Sequence, residues 1–460
     1  MTTTETDFAD ALSGLRERVT APVALPGEPE YLRSNPWNVA GQITPGAVLF
    51  ASTPDDVAET VRYAVANELK VTVQATGHGA LVVNTDTVLV HTGAMTECVV
   101  DVDNRIARVG AGATGQHLLD AATPHGLAPV LGSSPTVGVV GLHTGGGIGP
   151  LVRSVGACAD YVRAIDVVVG TGDLVRATPQ QHPDLFWGLR GGKATLGIVT
   201  AMEIELLPIP EFYGGAVYFD GADAAAVLHA WREWCVGLPE SITTSVALLQ
   251  LPPLPGVPEP LAGRMTVAVR YVALGDVAAA ERVLAPIHGA ATPLVDTVGV
   301  TPYAAIGGVH ADPVDPMPVY ENQALLNTLS ADGIDAVLAL AGPTAQSLQT
   351  IVEFRMLGGA LARAPRVDSA LCHRDAAYSL TTIGLPMPDL AERVTAHAHA
   401  IVDALAPWSH GGQFPNFAPS TDPDRPARVY TDAVRQRLAA AGDRYDPAGV
   451  YRAGQVVRLP

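Results

Sequence analysis

The chain has 460 residues, long enough for about two to four domains with sizeable cores. With 48% hydrophobic and 16% charged residues it has the composition of a globular protein and not of a disordered one. A net charge of −18 and a pI near 5.0 argue against nucleic acid or an anionic membrane surface as partner, because both need basic patches.

Cys98, Cys158, Cys235 and Cys372 are scattered, with neither a CxxC pair nor metal-ligand spacing, so no metal site and no disulfide framework is expected. The N-terminal stretch is acidic and polar where a secretory signal would be basic and then apolar. There is also no uninterrupted apolar run of ~18 residues. The expectation is a soluble, cytoplasmic protein, monomeric or homo-oligomeric.

Thr53-Pro54-Asp55-Asp56 is a helix start: a capping hydroxyl, proline at the first helical position, then acids at the positive end of the dipole. Val57, Val61, Ala64 and Val65 continue at helical spacing. Val71-Thr72-Val73 then switches to strand chemistry, so Gly77-His78-Gly79 sits on a loop leaving a strand end, a usual address for a ligand contact. Residues 99–109 read as a hairpin turning at Asp103-Asn104. They run into Gly110-Ala111-Gly112-Ala113-Thr114-Gly115, a literal GxGxxG. A dinucleotide fold needs an acid about twenty positions on, and residues 130–136 hold none. A tight strand-to-helix turn is the better account, although a nicotinamide-dependent dehydrogenase remains the alternative built on this segment.

Residues 132–149, GSSPTVGVVGLHTGGGIG, are rich in glycine. Glycine lets backbone N–H groups approach a ligand closely, and a concave run of them binds anions. Two readings stand: a loop wrapping a cofactor pyrophosphate, or tight turns between strands. Residues 162–169 and 174–177 read as a hairpin, residues 183–192 as a short helix broken by glycines, and residues 198–207 as a strand closed by Pro208 and Pro210. Beyond it, longer helices alternate with strands, the pattern of an α+β domain with helices on one side of an antiparallel sheet. Residues 252–260 and 312–318 are proline-rich loops, the second expected near a cleft mouth.

Four separated motifs point one way: Thr76-Gly77-His78-Gly79, the glycine-rich stretch, Asp184-Leu185-Phe186-Trp187 through Gly197-Ile198-Val199-Thr200, and Tyr445-Asp446-Pro447…Tyr451-Arg452…Gln455. In this order and spacing the chain resembles the PCMH-type (vanillyl-alcohol-oxidase) FAD flavoproteins, in the berberine-bridge-enzyme-like branch. The resemblance runs from about residue 40 to the end. It implies an α+β, two-domain fold: an FAD-binding domain from residues 1–208 completed by residues 408–460, and an antiparallel-sheet substrate domain from residues 209–407.

The resemblance also implies FAD bonded covalently through one histidine, His78, whose neutral imidazole adds to the flavin 8α-carbon. The position of a second, cysteinyl link is Ser134. Thr76, Gly77, Gly79, Ser134, Pro135, Gly138, Gly141, His143, Gly145, Gly146, Gly147, Gly149, Ile198, Val199, Asn416 and Gln455 are the implied cofactor contacts. Val139 matches a small residue that admits dioxygen. The implied reaction is hydride removal from a small organic substrate (alcohol, sugar, amine or secondary-metabolite intermediate), with dioxygen giving hydrogen peroxide.

Two departures bear on mechanism. The family's Tyr-x-Asn-Tyr segment is Phe414-Pro415-Asn416-Phe417 here, and phenylalanine takes no proton. A flavin-binding protein without redox turnover is therefore a second alternative. Glu353 and Arg355 alternate with Val352 and Phe354 on a strand and so share one face. A Glu353 carboxylate whose pKa is raised by burial is a candidate base, with a structural ion pair as the other reading. Tyr378, His143, His310 and His373 are further candidates, and His373-Arg374 matches an architectural motif of the family.

Overall fold

The computed structural model describes residues 5–79, 82–193, 196–253, 257–418 and 424–451. Its three sheets follow one another along the chain. The first joins β1 (Val23–Ala24), β2 (Ala47–Phe50), β3 (Lys70–Gln74) and β4 (Thr87–His91) in the order β1-β2-β4-β3, with β4 parallel to both β2 and β3. The helix Pro54–Ala66 provides the crossover before β3. The Thr53 side chain accepts from the Asp56 N–H while the Asp56 carboxylate accepts from the Thr53 N–H at 2.9 Å, closing the capping box that the sequence announces.

The second sheet is antiparallel: β5 (Cys98–Asp101), β6 (Ile106–Gly110), β7 (Val162–Val168), β8 (Leu174–Ala177) and β9 (Ile198–Glu205), in the order β5-β6-β9-β7-β8. The hairpin at Asp103-Asn104 is present. β6 has antiparallel neighbours on both sides, so the following glycines do not open a βαβ unit. A side chain at Gly110 would strike the Met95 carbonyl, and one at Gly112 the Thr92 carbonyl. Close backbone packing explains both glycines, and no dinucleotide fingerprint is formed.

The third sheet has eight antiparallel strands: β10 (Glu211–Asp220), β11 (Ile242–Gln250), β12 (Met265–Ala273), β13 (Pro293–Asp296), β14 (Gly299–Pro302), β15 (Tyr320–Leu326), β16 (Gln349–Met356) and β17 (Tyr378–Gly384). The order is β13-β10-β12-β11-β16-β17-β15, with β14 also paired to β10. Helices Ala224–Trp234, Val277–His288, Ala331–Ala341 and Ala391–Ala404 cover one face. There Val246, Leu248, Val267, Val269, Val352, Phe354 and Leu380 meet Trp231, Leu284, Val337 and Ile401 in one core. Strand alternation sends the intervening residues, Ala247, Leu249, Arg270, Glu353, Arg355 and Thr381, to the opposite face. That face closes over the first two sheets.

The C-terminal part returns to the first two sheets. Helix Asp432–Tyr445 packs on helix Pro183–Gly188. The Asp446 carboxylate accepts from the N–H groups of Val450 and Tyr451, the Tyr451 hydroxyl donates to the Val168 carbonyl at 2.8 Å, and the Val450 carbonyl accepts from Val71. The Tyr-Asp-Pro motif is thus a clamp between β3 and β7. Gln455 lies outside the described residues. Among the described residues no helix is long and apolar enough to cross a membrane.

Candidate active site

A cavity of about 920 Å³ lies between the eight-stranded sheet and the rest of the molecule, near the upper end of the ~300–1,000 Å³ usual for ligand pockets. One wall comes from the loop after β3, the glycine-rich stretch, Val199 and Asn416. The other comes from β11, β12, β16, β17 and the 310–319 loop.

On the first wall, the chain leaving β3 turns at Gly77 with φ +76°, and a side chain there would strike Pro36. Trp37 N–H donates to Thr76 O at 2.9 Å and Asn38 N–H to Gly77 O at 3.2 Å, tying the loop down. His78 faces the cavity with Nδ1 2.9 Å from Thr76 Oγ1 and Nε2 3.2 Å from Thr136 Oγ1. Its ring is stacked on Trp37 at 4.3 Å and 11°. Burial pulls its pKa down to about 4, against an opposing pull from Asp312, so the imidazole is neutral at pH 7 and keeps a nucleophilic lone pair. Thr76, Gly77 and Gly79 line the cavity beside it, and a Cβ on Gly79 would meet nothing.

The glycine-rich stretch is not one continuous loop. It contains a helical turn, Val139–Thr144, and this sorts its residues. Ser134, Gly138 and Gly141 line the cavity, and a Cβ on Gly141 would project into open space. Val139 does not face the cavity: it is fully buried in the core with its N–H on the Ala113 carbonyl, and the valines of this segment that line the cavity are Val137 and Val140. Pro135 gives its carbonyl to the Gln116 N–H.

The expected pyrophosphate cradle at Gly145, Gly146, Gly147 and Gly149 is corrected too. Side chains there would collide with Asn416 and Lys193, Leu371, Cys158 and the Leu131 carbonyl respectively, so these glycines serve packing within the protein. His143 is fully buried, its Nδ1–H donating to Val139 O at 2.8 Å, and burial pulls its pKa to about 4. It lies behind the cavity wall. Ile198 points into the core around β2 and β3, while Val199, its alternate, lines the cavity.

Asn416 lines the cavity, its Nδ2 donating to Leu142 O at 2.9 Å. Its Oδ1 is buried with no hydrogen-bond partner among the described residues. An orphaned acceptor, open space at Gly79 and Gly141, and a neutral imidazole in one elongated cavity fit FAD. Asn416 Oδ1 would take a ring N–H, and the open glycines would let the cofactor approach the backbone.

The opposite wall carries a buried charge network. Arg270 Nη1 donates to Glu353 Oε1 at 2.7 Å, and Arg355 Nη2 donates to Glu353 Oε2 at 2.9 Å and to His310 Nε2 at 3.1 Å. Glu353 and Arg355 do share a face, as their spacing implies, but the expected rise of the Glu353 pKa does not occur. Burial pushes it up, yet Arg355 and Arg270 together hold it well below the usual carboxylate range. Such a carboxylate is a poor base and serves as a fixed anion.

Tyr378 is excluded by parity. It stands on the helix-covered face of β17 beside Trp231, at 6.0 Å between ring centroids, and burial pushes its pKa up to about 12. His373 Nε2–H donates to Arg428 O at 2.9 Å, and Arg374 grips Asp160 through two bonds, both outside the cavity.

Behind the network, Ser245 Oγ, Arg270 Nε and His310 Nδ1 are buried without a partner among the described residues, around a void of about 10 Å³. That is about the room one water needs, and three polar partners suffice to hold it. A crystal structure that resolves solvent should show an ordered water bridging these three atoms; density too weak for a water would contradict this.

Arg270, Trp37, Val137, Lys193 and Glu321 also line the cavity and escape the sequence reading. Lys193 Nζ donates to Gly141 O at 3.3 Å, and burial pulls its pKa to about 7. One signal was available: Lys193 is one of only two lysines in the chain.

Residues 45–178 match the family model described as an FAD binding domain. Over 95% of this chain and 98% of the relative, the sequence is 26% identical to (R)-6-hydroxynicotine oxidase of Paenarthrobacter nicotinovorans. The fold matches BBE-like 1 of Physcomitrella patens with a TM-score of 0.83 at 21% identity, covering 98% of this chain and 99% of that one. It also matches Phl p 4, a grass pollen allergen with glucose dehydrogenase activity, with a TM-score of 0.82 at 17% identity, covering 98% and 100%. An isoleucine-to-valine variant of Phl p 4, described as a glucose oxidase, matches equally well at 18% identity. Along nearly its whole length the chain is similar in sequence to FAD-linked oxidoreductases and oxidases, and its fold is the one shared by 6-hydroxynicotine oxidase and the BBE-like proteins. It is an FAD-dependent enzyme with an FAD-binding domain and an antiparallel-sheet substrate domain.

Proposed function

We propose that this enzyme is an oxidase that holds FAD through a single bond to His78, removes a hydride from a small organic substrate and passes the electrons to dioxygen, giving hydrogen peroxide. The observation that carries this reading is His78 itself: a neutral imidazole, clamped between two threonine hydroxyls and a tryptophan, in the wall of a cavity large enough for the cofactor. Residues 1–208 and 408–460 would hold FAD, with Thr76, Gly77, Gly79, Ser134, Gly138, Gly141, Val199 and Asn416 against it, and residues 209–407 would close over the reacting ring. FAD supplies the redox chemistry; the chain binds, orients and shields it.

The substrate half of the cavity is largely aliphatic, with Leu249, Leu261, Ile351 and Ile383 around the charged network, which suits an alcohol, amine or secondary-metabolite intermediate better than a sugar. The four cysteines are free, in keeping with a reducing compartment such as the cytoplasm.

Val137 supports dioxygen as acceptor. In Phl p 4 an isoleucine-to-valine change accompanies the difference between a glucose dehydrogenase and a glucose oxidase, and here Val137, which lines the cavity ahead of the helical turn, is already valine. Val137→Ile is expected to slow reoxidation of the reduced flavin by air while leaving its anaerobic reduction unchanged, as stopped-flow absorbance would show; equal reoxidation rates would remove Val137 from this role. The reading as a whole is tested by mixing the purified protein anaerobically with alcohols and amines, watching the flavin bleach, and measuring peroxide on readmitting air. A flavin that bleaches but is reoxidised only by an artificial acceptor would make the enzyme a dehydrogenase.

A further inference from the structure

We propose that Glu321 is the proton acceptor of the oxidation, taking the proton from the substrate hydroxyl as the C–H hydride leaves. This rests on the oxidase reading and adds to it the group that completes the proton balance.

Elimination comes first. Four described carboxylates line the cavity. Glu353 is locked between two guanidiniums, Asp312 accepts from Ser133 Oγ at 2.5 Å, and Asp315 lies exposed in the 310–319 loop. Glu321 has neither a hydrogen bond nor an ion pair among the described residues. His310 has its Nε2 occupied by Arg355. Tyr218, on β10 toward the far side of the sheet, holds its proton more tightly still, because burial raises its pKa.

Position comes second. Glu321 on β15 stands opposite Ile383 on β17, which stands opposite Ile351 on β16, so Glu321 ends an apolar row that faces the cavity. Two strand spacings, about 10 Å, and one row separate it from Glu353. Two residues further along β15, Gln323 Oε1 accepts from Phe414 N–H at 2.7 Å and Gln323 O accepts from Gln413 Nε2 at 2.6 Å. These bonds pin the Phe-Pro-Asn-Phe segment beside β15 and bring Asn416 and Phe417 to the same cavity as Glu321. Neither phenylalanine takes a proton, so the carboxyl is the proton-accepting group of this corner.

The surrounding charges fit the role. Burial raises the Glu321 pKa to about 8; Arg355 on β16 and Lys193 across the cavity oppose this, while Asp312 and Glu353 add to it. The step balances. The O–H proton goes to the ionised Glu321 carboxylate, the C–H bond breaks with its electron pair leaving to oxidised FAD as hydride, and the oxygen lone pair closes the C=O bond. The products are carbonyl compound, two-electron-reduced FAD and a protonated Glu321, which returns its proton to solvent.

The test uses holoprotein with octan-1-ol and benzyl alcohol as probes, following anaerobic flavin bleaching in wild type, Glu321→Gln and Glu321→Asp. Glu321→Gln should slow bleaching by about 100-fold or more at a little-changed half-saturating probe concentration, with part of the rate restored by Glu321→Asp. The wild-type rate should climb with pH to a plateau above about 8, and that limb should be absent in Glu321→Gln. A Glu321→Gln protein that bleaches at the wild-type rate with the wild-type pH profile overturns the proposal and leaves the oxidase reading standing. A wild type that neither probe bleaches counts against the oxidase reading alone. Glu321 is then decided by infrared difference spectra of the holoprotein between neutral and alkaline pH. A carboxylic-acid band lost on raising the pH and missing in Glu321→Gln supports the assignment; no Glu321-dependent band means a group that never takes a proton in the working range, and overturns it.

Discussion

His78→Ala should release all of its yellow colour into the supernatant on acid precipitation, whereas the wild-type pellet stays yellow after washing. The expected effect is all-or-none, because the other contacts to the cofactor are non-covalent and are lost when the protein unfolds. The structure gives the reason for choosing this histidine among thirteen. A protonated imidazole has no lone pair to offer, and burial keeps His78 neutral far below pH 7. The Thr76 and Thr136 hydroxyls lie within hydrogen-bond distance of the ring nitrogens and orient the imidazole, and Trp37 fixes the ring plane. His143, also neutral, is fully buried behind the wall and does not reach the cavity. A variant whose pellet stays as yellow as wild type would place the link elsewhere.

Glu353→Gln is expected to destabilise the enzyme by about 3–5 kcal/mol, since it leaves Arg270 and Arg355 buried without a counter-ion. All three side chains are less than a tenth exposed, so solvent screening is slight. The pH dependence has a definite sign. The folded-state pKa of Glu353 is depressed, so the stabilisation is fully present above the unfolded-state value of about 4.3 and is lost as pH falls through the folded-state value. The gap in denaturant midpoint between wild type and Glu353→Gln should therefore be constant from neutral pH down to about 5 and shrink in acid. A difference under about 1 kcal/mol at neutral pH would mean that the network contributes no more than a surface ion pair.

Much of the fold was legible because its signals are local. The Thr53 capping box, the hairpin at Asp103-Asn104 and the strand-to-loop exit at Gly77-His78-Gly79 each depend on neighbours in sequence. The site was less so, for two physical reasons. Glycine marks close approach without saying to what: Gly141 opens onto the cavity, while Gly145, Gly146 and Gly147 make room for protein side chains. Strand and helix phase also decide facing, and a shift of one residue reverses it. That is why Val137 and not Val139, and Val199 and not Ile198, reach the cavity, and why Tyr378 faces the helices. Glu321 left one readable trace, a lone acid at the start of an otherwise uncharged strand, but its open carboxyl follows only from what surrounds it in space.

The most direct measurement is the intact mass of the purified protein under denaturing conditions. A tether through His78 predicts a chain heavier than its sequence by one FAD less the hydrogens lost in forming the bond, with the added mass on the peptide that contains His78. The bare sequence mass, from a preparation that was yellow before denaturation, would contradict the covalent attachment and leave an FAD enzyme that holds its cofactor by contacts alone.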